Sequence, residues 1–171
     1  MDGKTVKETA VIVSQIMTPQ DVNLAGNVHG GVIMKLIDNV AAIVAVRHAK
    51  TNVVTASIDR LDFHYPVFAG NLVTLKASLN LVGTSSMELG VRVETENLLT
   101  GEMRHTASAY LTFVALDKSG KPTEIPPLIL ESETDKRRNT QAKARRAMRL
   151  NERQSEKKTK DNPPEKPAFF R

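Results

Sequence analysis

No cysteine occurs among the 171 residues, so disulfides, thiolate nucleophiles and thiolate-held zinc are all excluded. Tryptophan is absent too, and aromatic residues make up only 4%, so the 40% of hydrophobic residues must build a core from Val, Leu, Ile, Ala and Met. The longest apolar run, Val40 to Val46, falls far short of the ~20 residues that a bilayer span needs. The N-terminus begins acidic and its short apolar run lacks a small-residue cleavage pattern, so it does not read as a signal peptide. A soluble, cytoplasmic chain with no membrane partner is the expectation. His29, His48, His64 and His105 are scattered without a ligand spacing, and no metal is expected.

Charge is present but unevenly placed. Residues 1–131 hold 11 Lys/Arg against 13 Asp/Glu, a net −2, whereas residues 132–171 hold 13 against 6, a net +7. The Ile125-Pro126-Pro127 segment closes the apolar, patterned part of the chain. One domain over 1–131 and a basic tail over 132–171 are therefore expected. Ser132 to Lys158 has Ser-x-x-Asp at its start, several alanines and no internal Gly or Pro, which predicts a solvent-exposed helix. The residues after Asp161 have the composition of a disordered end.

Before that boundary the pattern reads as one strand, one long helix and four more strands. Thr9–Met17, Val53–Phe63, Leu72–Val82, Met87–Leu98 and Arg104–Leu116 alternate apolar with polar residues. Segments 65–71 (YPVFAGN) and 82–87 (VGTSSM) carry turn chemistry, and Leu99-Thr100-Gly101-Glu102 reads as a hairpin loop. Consecutive strands with short connections imply an antiparallel sheet. From Gly31 to about His48, apolar residues cover nearly every helical face, so this helix should be buried with a curved sheet wrapped about it. The fold class is α+β.

Within the helix, Lys35, Asp38 and Asn39 fall at spacings that place them on one stripe. That stripe must meet water, a ligand or a second subunit; an ordinary exposed pair is the simplest of these. The residues in front argue for more. Gly26, Gly30 and Gly31 allow close backbone approach, and Gly30-Gly31 sits where free helix N–H groups carry partial positive charge. Amides able to hold an oxyanion, a polar Asn23 and an acid on the same helix are three ingredients of acyl transfer. Gly30 and Asp38 are eight residues apart, however, roughly 12 Å at ~1.5 Å per residue. One chain cannot bring both to one carbonyl, but two antiparallel helices in a two-fold dimer can.

The stretches 17–49 (MTPQDVNLAGNVHGGVIMKLIDNVAAIVAVRHA), 62–75 (DFHYPVFAGNLVTL), 82–102 (VGTSSMELGVRVETENLLTGE) and 106–117 (TASAYLTFVALD) resemble the hotdog-fold acyl-CoA thioesterases of the cytosolic acyl-CoA hydrolase group. The resemblance covers about residues 9 to 118 and leaves the basic tail out. It implies a hotdog fold: a long central helix wrapped by about five antiparallel strands, with dimers sharing a continuous sheet and assembling further into hexamers, trimers of dimers. It implies hydrolysis of acyl-CoA without a cofactor, coenzyme A being part of the substrate. Asn23 and Asp38 would be the catalytic pair, given by different protomers, with Gly30 or Gly31 amides on the thioester carbonyl. Asp38 would activate water or attack the thioester itself. For coenzyme A the candidates are the turn Gly83, Thr84, Ser85 and Ser86, with Arg60 or His64 adding charge. His29 is placed on the binding side, as a structural rather than a catalytic group, because the chemistry already has a base.

Three other readings use the same residues. A non-catalytic acyl-CoA-binding regulator would share the fold, though no helix-turn-helix precedes the domain. Nucleic-acid binding by the tail has the charge but only Phe169 and Phe170 for stacking, so nucleic acid is not an expected partner. A dehydratase would want an acid beside His29, and the acid lies further along the helix.

Overall fold

Alternating and all-apolar segments set the element order of the computed structural model, which describes residues 1–161. In chain order these are β1 (Lys4–Thr5), α1 (Val6–Thr9), β2 (Val11–Ile16), a 3-10 turn at Pro19–Asp21, α2 (Gly30–Ala49), β3 (Asn52–Phe63), β4 (Asn71–Val82), β5 (Ser86–Asn97), β6 (Glu102–Leu116), β7 (Leu128–Ile129) and α3 (Glu133–Asp161). Five strands form one antiparallel sheet in the order β2-β4-β5-β6-β3, the hotdog arrangement expected. The tiny parallel pair β1 and β7 has no counterpart in the sequence reading. Two-residue strands are too short to show a period. The expected disorder after Asp161 lies outside the described residues.

β4, β5 and β6 follow one another as a meander, and the hairpin at residues 98–101 turns on Gly101, whose φ of +72° suits glycine. The segment 65–71 is a different case. It was expected as a turn between neighbours, yet β3 lies at one edge of the sheet beside β6, so this segment crosses the end of the sheet to reach β4. On its way Val67 accepts a hydrogen bond from the Val28 N–H at 2.7 Å, which ties the crossing to the glycine loop.

α2 lies on the concave face. Ile33, Ile37, Val40, Ala41, Val44 and Ala45 pack against the inward residues Val73, Leu75, Leu89, Val93, Leu111 and Phe113, all fully or nearly fully buried. Each large aliphatic buried in this way contributes about 1.5–3 kcal/mol. The expectation that α2 is buried all round needs correction. Met34, Ile43 and Val46 are 41%, 42% and 46% exposed, because five strands of one chain wrap only one side of the helix.

α3 corrects a second expectation. The helix forms where expected, and Ser132 and Asp135 cap it reciprocally through side chain and backbone at 3.1 Å. It does not stand free in solvent. Ala142 is fully buried and Asn139 nearly so, with Asn139 Nδ2 donating to the Asn80 carbonyl at 2.8 Å. Arg145 reaches the buried Glu88 at 2.7 Å and covers the Tyr110 ring, while Arg149 pairs with Asp59. α3 thus crosses the convex face of the sheet, from β4 to β3. Among the described residues no helix is long and apolar enough to cross a membrane.

Candidate active site

The glycine loop is fixed by its backbone. Val22 and Val28 form an antiparallel bridge, the Asn23 N–H donates to the Asn27 carbonyl at 2.8 Å, and the His29 N–H donates to the Asp21 carbonyl at 2.8 Å. Gly26 turns the loop at a φ of +85°, a conformation that strains any other residue. Asn23 Oδ1 accepts from the Ala25 N–H at 2.9 Å, so its amide nitrogen is the part left for chemistry.

His29 caps α2. Its Nδ1 accepts from the Gly31 N–H at 3.1 Å, and a Cβ at Gly31 would stand 3.2 Å from that nitrogen. Glycine at 31 therefore lets the imidazole reach the helix end, and the Gly31 amide is occupied by it. Gly30 is the residue of the pair that opens onto a cavity. Asn23, Asn27, Gly30, Phe63 and His64 line this cavity of about 400 Å³, with Val28, Ile33 and Val67 as its apolar floor. A partial positive helix end, an amide side chain and apolar walls suit a polarised carbonyl on an apolar chain.

Asp38 is not in that cavity. It is partly buried further along α2, where its Oδ1 accepts from Thr55 Oγ1 at 2.7 Å. Thr55 sits at an irregularity in β3, where the register against β6 slips between Thr55 and Ser57. Such bulges redirect side chains, and this one accompanies a hydroxyl aimed at a carboxylate. The two elements that carry Asp38 and Thr55 also expose apolar side chains, Met34 on α2 and Val54 and Ile58 on β3. Among the described residues β3 pairs only with β6, leaving its other edge open. This is an unfinished surface around a carboxylate.

The family model for the thioesterase superfamily matches residues 25–102. The uncharacterised acyl-CoA thioester hydrolase YkhA of Bacillus subtilis is 42% identical over 129 residues, 75% of each chain. The chain belongs to the acyl-CoA thioester hydrolases of the thioesterase superfamily. A cytosolic acyl coenzyme A thioester hydrolase of Rattus norvegicus is 38% identical to this member over 146 residues. That match takes in 84% of this chain but 38% of the rat protein, so the chain spans little more than a third of that relative's length. The crystal structure of an apo-hexameric acyl-CoA thioesterase has a TM-score of 0.86 to this superfamily member at 38% identity, covering 89% of this chain and 97% of that one.

In this thioesterase-superfamily chain the expected site residues fall into four places. Asn23, Gly30 and His64 come together in the cavity, with His29 and Gly31 occupied by each other at its rim. Asp38 stands apart on the open face. Gly83, Thr84, Ser85 and Ser86 lie at the far end of the sheet, since Ser86 pairs with Val114 while Phe63, beside Gly30, pairs with Ala107. Seven residues of strand between those pairs amount to roughly 24 Å. The turn is closed internally, the Gly83 N–H donating to the Ser86 carbonyl at 2.7 Å. Arg60 is exposed on β3 and pairs with Asp62. Thr55 is the residue that sequence reasoning missed: it is the one threonine of β3, nothing near it in the sequence marks its role, and its link to Asp38 spans 17 positions. Among the described residues no group of three or more His, Asp or Glu could share a metal ion.

Proposed function

We propose that the protein hydrolyses the thioester of acyl-coenzyme A to a free acid and coenzyme A, in the cytoplasm, as a homodimer with two composite sites. The observation that carries this reading is the separation of the two halves of the chemistry: carbonyl-binding groups at the start of α2, and a carboxylate about two turns on, facing away on an unfinished surface. Joining the open β3 edges of two chains antiparallel would cover the exposed Met34, Val54 and Ile58 and carry each Asp38 toward the partner's glycine loop. The hexameric relative supports further assembly of such dimers.

In each site the Gly30 N–H and the Asn23 amide hold the thioester oxygen. Asp38 takes a proton from water, the hydroxide adds to the carbonyl carbon, and the tetrahedral oxyanion collapses by breaking the C–S bond. The coenzyme A thiolate then takes up the proton. Direct attack by Asp38, giving a mixed anhydride that water opens, uses the same geometry. Thr55 positions Asp38 by donating to one oxygen and leaving the other for the reaction. His64 and the turn Gly83–Ser86 of a neighbouring chain are the groups assigned to the coenzyme A portion.

Complementation tests the shared site. Gly30→Pro removes the amide donor at the first helical position, where proline is tolerated, and Asp38→Ala removes the acid. A verified heterodimer of the two variants keeps one intact composite site and should recover about half of wild-type thiol release, while each homodimer is inactive. No recovery would refute sharing between chains. Absence of thiol release from every acyl-CoA by the wild-type protein, with binding retained, would make it a regulator instead.

A further inference from the structure

The convex face of the sheet holds a second cavity of about 400 Å³, on the side turned away from α2 and bordered by α3. Side-chain alternation decides its character. Leu75, Ala77, Val91 and Ala109 point into the core, so Lys76, Arg92 and Ser108 stand on the convex side. Lys76 is paired in register with Arg92, and Arg92 with Ser108, which lays one polar row across three strands. The next row runs Ser78, Gly90, Tyr110. Gly90 keeps the floor low: a Cβ there would lie 2.8 Å from Asn80 Nδ2.

Five cationic side chains line the groove, Lys76 and Arg92 from the sheet and Arg137, Arg138 and Arg145 from α3. Like charges directly opposite one another on a sheet repel, so Lys76 beside Arg92 needs an anion. Glu94 supplies one, with Oε2 on Lys76 at 2.5 Å and Oε1 on Arg92 at 2.7 Å. Those two bonds hold the Glu94 carboxyl below its ordinary range. Glu88 takes Arg145 at 2.7 Å. The described ion pairs give no carboxylate to Arg137 or Arg138, and Arg138 donates instead to Ser78 Oγ at 3.3 Å. Five cations against two carboxylates leave an excess of three positive charges around a concave floor of hydroxyls.

Planar guanidinium groups match the oxygen geometry of phosphate, and an excess of three charges is more than one phosphate group neutralises. Among the described residues the groove offers no free aromatic face for a base, because Arg145 covers the Tyr110 ring at 3.8 Å. We propose that this groove binds a ligand carrying two or more adjoining phosphate groups, at a site separate from the glycine-loop cavity. The ligand would join the sheet to α3, with Lys76 and Arg92 on one side and Arg137 and Arg138 on the other. It falls to the phosphates, and not to the rest of the ligand, to make the contacts.

Calorimetric titration of the full chain tests this, with inorganic tripolyphosphate as the probe and ADP and coenzyme A in parallel arms. Saturable tripolyphosphate binding is expected, weakened about tenfold or more by Arg92→Gln with Arg138→Gln, while thiol release without added phosphate stays unchanged. Arg137→Gln, at an exposed side chain that has no ion pair among the described residues, should weaken binding in the same direction; Lys143→Gln, exposed on α3 outside the groove, should not. ADP binding at least as tight as tripolyphosphate would identify a nucleotide as the source, and much weaker ADP binding an inorganic polyphosphate. Equal binding by wild type and the double variant would overturn the proposal. So would an equal loss with Lys143→Gln, which marks diffuse attraction, or loss of coenzyme A binding in the double variant, which makes the groove part of the substrate site.

Discussion

α2 and α3 lie on opposite faces of one sheet and are held there by different physics. α2 is attached mainly by area: apart from His48 near its C-terminal end its buried residues are aliphatic, and a well-packed apolar surface accepts them. α3 buries one alanine fully and is otherwise fastened by directed polar contacts, Asn139 to Asn80, Arg145 to Glu88 and Arg149 to Asp59. Non-directional burial lets α2 present its leftover face to a second chain. Directed bonds fix where α3 crosses the sheet. The difference teaches that docking and the proposed chemistry are separable here, since the carboxylate proposed as the base stands on α2 and the guanidinium that fastens α3 lies on the other face of the sheet.

The sharpest break in that comparison is Asp38→Asn. It should lower the rate of thiol release by about 10² to 10⁴ at saturating acyl-CoA. Unfolding by urea should scarcely change, because Asp38 is outside the buried cluster. A large loss of stability instead would place the side chain in the structure of the helix rather than in its chemistry.

Arg145→Ala should show the reverse. It strands Glu88, whose side chain is 1% exposed, and costs about 3–5 kcal/mol in urea unfolding. Adding Glu88→Leu should recover most of that loss, as apolar replacement of buried pairs generally does. If Arg145→Ala left stability unchanged, α3 would not depend on the polar pair.

The smallest effect concerns the C-terminal end of α2. His48 is fully buried, its Nε2 is 2.7 Å from the Pro126 carbonyl, and burial lowers its pKa from 6.5. The unfolded chain therefore binds a proton more readily than the folded one. Stability from this group is complete above about pH 6.5 and is lost as pH falls below it toward the lowered value. Melting temperature should decline between about pH 7 and pH 5, and His48→Gln should flatten that decline. The hydrogen-bonded carboxylates of Glu8, Asp21 and Asp117 are lowered as well, so their stabilising contributions disappear only at more acidic pH. A slope unchanged by His48→Gln would assign the effect elsewhere.

Local pattern carried much of this protein. The apolar span of α2, the alternation of β4, β5 and β6, the glycine turns and the Ser132 cap all depend on residues within a turn or a hairpin of one another. Asp38 was conspicuous as an acid in an apolar helix, Asn23 as a polar residue before the glycine loop and Gly30 as part of a glycine pair at the helix start, and the spacing of Gly30 from Asp38 along α2 argued for two chains. The tertiary structure alone decided that Thr55 reaches Asp38, that 65–71 crosses the sheet end, that Gly31 belongs to His29 while Gly30 faces the cavity, and that α3 docks through Glu88. Periodicity is written along the backbone at intervals of two to four residues. A hydrogen bond between side chains 17 or 57 positions apart leaves no such trace, because only the path of the folded chain brings the partners together.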